Sequence, residues 1–442
     1  MSRSNNGQPR PVGDSMHHAL HHDLLHMKLS SLPRLLPLEQ DYHRHKRERS
    51  DPSTAGTEAS DASSRSRGSM ESTRTEDTDV LLTPTPFRSR ASTTTELWQP
   101  DQQVIAPNYV PCKPPIRVIL GTASVGSKKS PLAKITTVEA IVKFTSMFRA
   151  RGYNDIDTAR AYPVGRGGTC EQLLGEKELR LPTWANISTK VSSFMPGSHR
   201  TKNINLSIEK SLEALGTDEV DIMYLHAPDR ATPFSETCEA MHDAWLEGKF
   251  QRFGLSNYTV EQVEEIVKIC EECGYNKPTV YQGQYNPICR GAEDQLFEVL
   301  RKHNIAFYAY SPSACGFFSN KVTKASVKDT DSRWNIASPL GAKYAGDYFH
   351  DPLFAAAETV RSQAKQYGIS GHAAALRWTT WHSQLDAACG DAVIIGASKI
   401  EQLEENLNIL EQGPLPEGLV KVMDKMWDQV KQLEKGPRFS FV

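Results

Sequence analysis

The sequence predicts an α/β protein, namely a (β/α)8 TIM barrel with a long disordered N-terminal extension. Eight short runs rich in β-branched and aromatic residues recur after residue 115. Segments with helical periodicity lie between most of these runs, and several start at Ser or Thr and stop at Gly, as capped helices do. Strands that alternate with helices over about 300 residues are typical of such a barrel.

The extension comprises residues 1–112, and the predicted barrel comprises residues 113–442. Runs such as SDASSRSRGSMESTRTEDTD fill the extension, and a segment without sustained apolar periodicity cannot bury enough surface to offset its ordering entropy. Within it, HHALHHDLLHMKLSSLPRLL has the spacing of a short amphipathic helix. Its histidines fit the polar face of a transient helix better than a metal ion, so we predict no metal site.

The composition argues against several classes of binding partner. The 442 residues include 51 Lys and Arg against 53 Asp and Glu, a net charge of −2, which removes the usual electrostatic argument for binding nucleic acid or anionic membranes. No apolar run approaches the ~20 residues of a membrane span. The 8 cysteines are too sparse for a disulfide scaffold. We therefore expect a cytoplasmic protein that acts on a small molecule, without nucleic-acid or membrane partners.

The strand candidates follow one another in chain order. They are IRVILGTA (116–123), NDIDTA (154–159), ANISTKV (185–191), VDIMYLHA (220–227), QRFGLSN (251–257), TVYQGQYN (279–286), IAFYAYSP (305–312) and DAVIIGAS (391–398). The helical patterns are TVEAIVKFTSMFRARG, TCEQLLGEKEL, TKNINLSIEKSLEALG, FSETCEAMHDAWLEGK, TVEQVEEIVKICEECG, AEDQLFEVLRKH, LFAAAETVRSQAKQYG and EGLVKVMDKMWDQVKQLEKG. A doubly wound sheet, the rival fold, normally carries G-x-G-x-x-G after its first strand, and GTASVGSKKS lacks that spacing.

Polar residues stand where these strands end, which is where barrel enzymes build their sites. Strand two ends at Asp157 with Tyr162 in the next loop, strand three ends at Lys190, and strand four ends at His226. An ammonium lowers the pKa of a neighbouring phenol, and a carboxylate keeps that ammonium charged. With a histidine on the same oxygen, such a group would protonate a carbonyl oxygen as a hydride arrives at carbon.

The motifs DIDTARAY, ISTKV, VDIMYLHAPD, EGKFQRFGLSNY, TVYQGQYNP, FYAYSP and IIGASKIEQLEENL occur in an order that resembles the aldo-keto reductase superfamily. The resemblance runs from about residue 116 to about residue 427 and leaves the extension uncovered. LHAPD, TVYQGQYN and SKIEQLEENL resemble most the aflatoxin-aldehyde-reductase branch. The resemblance implies the same barrel fold and a nicotinamide cofactor.

The resemblance also implies roles for individual residues. Tyr162 would be the general acid and base, Asp157 and Lys190 would tune its pKa, and His226 would hold the substrate carbonyl. The nicotinamide end of the cofactor would contact Ser256, Asn257, Gln282 and Tyr310. The loop from Ser311 to Lys321 would cover the pyrophosphate. The adenosine end would contact Ser398, Lys399, Gln402, Glu405 and Asn406, beside the start of a further predicted helix at Glu401.

Lys399 favours NADP over NAD, because it supplies a cation for a 2′-phosphate. Two departures weaken the inference, since many relatives place an Arg at Gln402 and a Lys at Gly396. Phe317 and Phe318 either pack over the cofactor or fill a core. The stretch 322–350 is predicted to be a pocket-lining loop, in which Arg333 and Tyr344 either reach an anionic group or are exposed surface residues.

The sequence thus predicts NADPH-dependent reduction of an aldehyde or ketone to an alcohol. The branch suggests reactive aldehydes, dialdehydes or a secondary-metabolite carbonyl as substrates. The alternative is a cofactor-binding regulatory subunit similar to the potassium-channel β subunits, which share this barrel. The N-terminal extension supports that alternative, whereas the complete set of four catalytic candidates argues against it. A homodimer is a further expectation.

Overall fold

The computed structural model describes residues 112–440 apart from 331 and 434, so the prediction for residues 1–111 lies outside the described residues. Eight parallel strands close in sequence order into a barrel, and the last strand pairs with the first. They are β1 (Arg117–Gly121), β2 (Asp155–Asp157), β3 (Asn186–Val191), β4 (Val220–Leu225), β5 (Phe250–Ser256), β6 (Pro278–Gln284), β7 (Ala306–Tyr310) and β8 (Ala392–Gly396). The predicted (β/α)8 barrel is confirmed.

Helices surround this barrel. Those in the described part of the chain are α1 (Val138–Ala150), α2 (Thr169–Leu174), α3 (Thr201–Leu215), α4 (Phe234–Leu246), α5 (Val260–Cys273), α6 (Leu296–Lys302), α7 (Pro339–Tyr348), α8 (Asp351–Gln366), α9 (Gly371–Trp381), α10 (Ile400–Leu410) and α11 (Glu417–Val430). Thr137 caps α1, and Thr259 caps α5 through a capping box. None of the helices between residues 112 and 440 is long and apolar enough to cross a membrane.

Two helices were not predicted from the sequence. The pattern of α9 was missed because nine of its eleven residues are buried, which leaves little amphipathic contrast. The expectation of a loop over 322–350 is wrong in part, because α7 and a 3-10 turn at Lys324–Lys328 occupy much of it. Ser338 caps α7 by accepting a hydrogen bond from the Gly341 N–H.

Side chains alternate between the inside and the outside of the barrel. One apolar cluster lies inside: Ile119, Ile222, Tyr224, Val280, Ala306, Tyr308, Ala392 and Ile394, with Tyr310 packed against it. A larger core, which includes Phe317 and Phe318, lies between strands and helices. These two phenylalanines therefore fill a core. On β4, Ile222 and Tyr224 point inward, so the two-residue period also directs His226 into the barrel mouth.

Gly254 on β5 makes room for the inward ring of Tyr224. A Cβ at this position would lie 2.3 Å from Cδ1 of that ring, far inside van der Waals contact. The ring in turn fills the barrel directly below His226. The absence of a side chain at Gly254 on β5 therefore gives the Tyr224 ring on β4 the space that it occupies next to the site.

Complementary charges close the N-terminal end of the barrel. Arg252 binds Asp221 with two hydrogen bonds of 2.9 and 2.7 Å. Two similar pairs join neighbouring elements, namely Arg117 with Asp155 and Arg301 with Asp391. The Asp391 carboxylate also accepts the backbone N–H groups of Phe307 and Asp386.

Candidate active site

Asp157 and Lys190 form an ion pair inside the opposite, C-terminal mouth of the barrel. The Lys190 ammonium is fully buried and lies 2.8 and 2.7 Å from the two carboxylate oxygens of Asp157. It also donates to the Thr158 carbonyl oxygen at 2.8 Å. Because an ammonium has three protons, these three acceptors use all of them. Lys190 therefore acts on its other neighbours through its charge.

Tyr162 lies beside this pair, as predicted. The Lys190 ammonium is 5.3 Å from the centre of the Tyr162 ring. The Tyr162 ring also meets the His226 ring edge-on, with the two centres 5.5 Å apart. The structure thus brings together all four residues that the sequence assigns to catalysis.

The electrostatics of Tyr162 differ from the expectation. Burial raises the pKa of this phenol well above its usual value, and the Asp157 carboxylate adds to the rise. Lys190 does not reverse this effect because Asp157 holds its ammonium, and burial also lowers the pKa of Lys190. Without a bound partner, Tyr162 is therefore a protonated phenol, which is a proton donor.

His226 is neutral. Burial lowers its pKa well below the usual value, and the charge of Lys190 lowers it further. Its Nδ1 is buried and makes no hydrogen bond to any described residue. A proton at Nδ1 would be a buried donor without an acceptor, which costs more free energy than an unpaired acceptor nitrogen. We infer that the proton is on Nε2, where it makes His226 a hydrogen-bond donor.

Polar side chains from β5, β6 and β7 meet next to this group. The Asn257 amide donates to the His226 carbonyl oxygen at 2.9 Å and to Ser256 Oγ at 3.0 Å, and its Oδ1 accepts from the Tyr310 hydroxyl. Gln282 donates to Asp157 Oδ1 at 2.8 Å. The Ser256 proton and the Gln282 amide oxygen remain to bind an external carboxamide. This donor and acceptor set fits the nicotinamide group that the resemblance implies.

Backbone strain is concentrated in the loops after β5 and β7. Asn257 has φ 65°, and Ser311, Ala314 and Cys315 have φ of 55°, 53° and 55°. Residues other than glycine rarely adopt this region, and such strain clusters at ligand sites. Ser311 is held by its carbonyl oxygen, which accepts from Asn286 Nδ2 at 3.1 Å.

The residues assigned to the adenosine end follow β8. Gln402 is occupied internally, because its Oε1 accepts both the N–H and the hydroxyl of Ser398, at 3.0 and 2.7 Å. Asn406 is also internal, since it bonds His372 and the Gly396 carbonyl oxygen. Lys399 and Glu405 are exposed on the same segment. Of the five residues, Lys399 and Glu405 are therefore the ones whose side chains make no hydrogen bond to the described part of the chain.

Of Arg333 and Tyr344, which the sequence left open between two interpretations, Arg333 is exposed and Tyr344 is partly buried. Both lie beside Cys315 in the loop after β7. No carboxylate in the described part of the chain pairs with the Arg333 guanidinium. Lys321, at the end of the same loop, is exposed.

The geometry is that of a carbonyl-reducing barrel, and the comparison with known families agrees. The aldo/keto reductase family model matches residues 117–428. The chain belongs to the aldo/keto reductase family. Members are oxidoreductases that reduce carbonyl groups and typically use NADH or NADPH, and this aldo/keto reductase is an enzyme of that kind.

Individual relatives cover most of the barrel. An aldo-keto reductase of Pseudocercospora fijiensis is 38 % identical over 292 residues, which are 65 % of this chain and 97 % of that protein. Aflatoxin B1 aldehyde reductase member 2 of Homo sapiens is 37 % identical over 332 residues, 72 % of this chain and 88 % of that protein. Oxidoreductase sirO of Leptosphaeria maculans is 36 % identical over 327 residues, which are 73 % of this chain and 96 % of that protein. The resemblance to the aflatoxin-aldehyde-reductase branch is confirmed.

Sequence reasoning missed the loop after β3 in this aldo/keto reductase. The Phe194 ring packs against the His226 ring with the centres 4.9 Å apart, yet it is 54 % exposed. Met195 follows it and is 71 % exposed. The available signal was an aromatic residue four positions after Lys190, at the mouth of the predicted barrel.

Proposed function

We propose that this aldo/keto reductase reduces aldehydes or ketones to alcohols with NADPH. The observation that supports the proposal best is the group formed by Tyr162, His226 and the buried Lys190–Asp157 pair at the C-terminal mouth. A partly buried phenol and a neutral imidazole donor side by side suit one oxygen atom that gains negative charge.

The residues divide the work on that oxygen. NADPH, when bound, supplies the hydride that forms the new C–H bond at the carbonyl carbon. Tyr162 gives its phenolic proton to the carbonyl oxygen, so that the C=O double bond becomes C–O–H. His226 donates from Nε2 to the same oxygen and fixes its position. Lys190 then lies where its positive charge stabilises the phenolate that remains on Tyr162.

The preference for NADPH rests on the cations near the phosphate groups. Lys399 is exposed and precedes the free N–H groups at the start of α10, and such a helix start favours a phosphate. Arg333 adds a guanidinium without a carboxylate partner among the described residues, next to the loop 311–321. Together they suit the additional phosphate of NADPH and the pyrophosphate.

The substrate class follows from the mouth of the site. Phe194, Met195 and Val164 expose 54 %, 71 % and 40 % of their surfaces on the loops after β3 and β2. Large apolar residues exposed beside polar catalytic groups favour a substrate with an apolar or aromatic part. The relatives named as aflatoxin B1 aldehyde reductases support reactive aldehydes and dialdehydes within this class.

The test measures NADPH and NADH consumption with a panel of aldehydes and dicarbonyls, for the native chain and Tyr162→Phe. We expect turnover with NADPH, and a loss of roughly 100- to 10,000-fold in the variant because a general acid is removed. NADPH binding, followed by fluorescence, should persist. Tight NADPH binding without turnover in either protein would support a regulatory role instead, and no binding would contradict the proposal.

A cytoplasmic location and a homodimer are proposals from the sequence alone. Cell fractionation tests the first, and light scattering on the purified chain tests the second.

A further inference from the structure

Ser193 lies in the loop after β3 and holds the backbone of His226, which follows β4. Its buried hydroxyl oxygen accepts the His226 N–H at 3.1 Å. On the other side of the same residue, Asn257 donates to the His226 carbonyl oxygen at 2.9 Å. Hydrogen bonds from the loops after β3 and β5 therefore hold the backbone of His226 in place.

His199 holds Ser193 in turn. The His199 side chain is fully buried, and its Nε2 lies 2.8 Å from Ser193 Oγ. Its Nδ1 has no partner among the described residues, so the proton belongs on Nε2, which donates to the serine. The serine hydroxyl then donates to the Val191 carbonyl oxygen at 3.1 Å. With two bonds accepted and one donated, Ser193 is used in a single orientation.

Asp229 closes the connection. Its Oδ2 accepts hydrogen bonds from the backbone N–H of His199 at 3.0 Å and from the Thr232 hydroxyl at 2.7 Å. Its Oδ1 accepts a hydrogen bond from the backbone N–H of Ala231 at 3.0 Å. Asp229 lies only three residues beyond His226 on the same loop. The chain of contacts therefore runs from the loop after β4 to the loop after β3 and back to His226.

We propose that Ser193, His199 and Asp229 form a bridge that positions His226 against the carbonyl oxygen of the substrate. This inference rests on the proposed function, since it concerns the same reduction. The three residues touch neither substrate nor cofactor and are positioning residues. Because the bridge holds the peptide of His226, its loss displaces the imidazole, and displacements of about 1 Å can cost roughly 100-fold in rate.

The test compares Ser193→Ala and His199→Leu with His199→Gln, which keeps a side-chain N–H where His199 has Nε2. Ser198→Ala is the matched control, because the Ser198 hydroxyl lies in the same loop and makes no hydrogen bond to described residues. We expect kcat to fall about 10- to 100-fold in the first two variants. His199→Gln should recover most of it, and the control should stay within about twofold of the native rate.

Three further readouts separate positioning from general damage. NADPH affinity should change little in Ser193→Ala, and the thermal midpoint should fall by several degrees, because the His226 N–H and His199 Nε2 lose their buried acceptor. The solvent deuterium isotope effect on kcat should increase because proton delivery becomes slower. A native kcat in Ser193→Ala, or a fall in NADPH affinity as large as the fall in kcat, would overturn the bridge. Absence of turnover in the native chain would instead contradict the proposed function.

Discussion

The two ends of the barrel use charge in opposite ways. At the N-terminal end, the partly exposed Arg117, Arg252 and Arg301 each form an ion pair with an aspartate. At the C-terminal mouth, the ion pair of Lys190 and Asp157 is removed from water, and uncharged polar groups surround it. The first arrangement closes the barrel, whereas the second keeps a charge where water does not screen it.

A contribution to stability explains the ion pairs at the N-terminal end of the barrel, but it does not explain the buried pair at the C-terminal mouth. Partly exposed pairs add modestly to stability, and a fully buried pair often contributes less than apolar residues of the same volume. The unpaired Nδ1 of His226 and the strained backbone of Asn257 also lie at the C-terminal mouth. Stability does not account for this combination, but preorganisation for catalysis does.

The largest expected effect is that of Lys190→Met. It leaves the Asp157 carboxylate buried without its cation, so we expect a loss of about 3–5 kcal/mol in the free energy of unfolding. Turnover should also fall by at least about 100-fold, since the phenolate of Tyr162 loses its neighbouring charge. Urea unfolding and steady-state kinetics measure the two effects. A variant with near-native stability and turnover would show that the buried pair at the C-terminal mouth has no special role.

The matched change at the other end is Asp391→Ala. It removes the carboxylate that binds Arg301 and two backbone N–H groups, so we expect a loss of about 3 kcal/mol in stability. The kcat of the folded enzyme should stay within about twofold of the native value, because the site lies at the opposite mouth. A large fall in kcat at a temperature where the variant is fully folded would show that the two ends are coupled.

Acid should weaken the catalytic end through its buried histidines. Burial lowers the pKa of His199 to about 4 and that of His226 well below its usual value. The unfolded chain therefore binds more protons than the folded chain below about pH 6.5, and stability falls as the pH falls. His199 alone should account for about 2 kcal/mol between pH 7 and pH 5.

Denaturation midpoints at the two pH values, compared between the native chain and His199→Gln, measure this contribution. The variant should lose less stability on acidification, because one buried titrating group is gone. Equal losses in both proteins would show that His199 is not held neutral.

The smallest expected effect is that of Phe194→Ala. It should lower kcat/KM for aromatic aldehydes about 5- to 10-fold by removing a ring contact, and leave small dicarbonyls within about twofold. Leu246→Ala on α4 is a suitable control, since this residue is also exposed (65 %) but lies at the end of the helix that leads into β5. Equal losses for aromatic and small substrates would argue against a specificity role for Phe194.

Local sequence patterns sufficed for the barrel and for the four residues of the candidate catalytic group. The register pairs Asp157 with Ser188, and the two-residue period of a strand puts Lys190 on the same face as Ser188. Both side chains are therefore directed into the mouth of the barrel. The bounds of β2 and α2 were less predictable, because Asp155–Asp157 and Thr169–Leu174 are short and end within continuous polar sequence. For α9, burial on nearly all sides hid the helical period.

Only the tertiary structure decided which polar side chains form hydrogen bonds with one another. The sequence shows Gln402 and Asn406 near a predicted phosphate site, but their side chains are committed to Ser398 and to Gly396 and His372. It likewise gives no sign that Ser193 and His199 serve His226, since 33 and 27 positions separate them along the chain. Register and periodicity are local properties, whereas burial and hydrogen-bond pairing depend on residues that folding brings together. Local sequence therefore determined the order of the strands and the candidate catalytic residues, whereas the tertiary structure decided the protonation states of Tyr162 and His226.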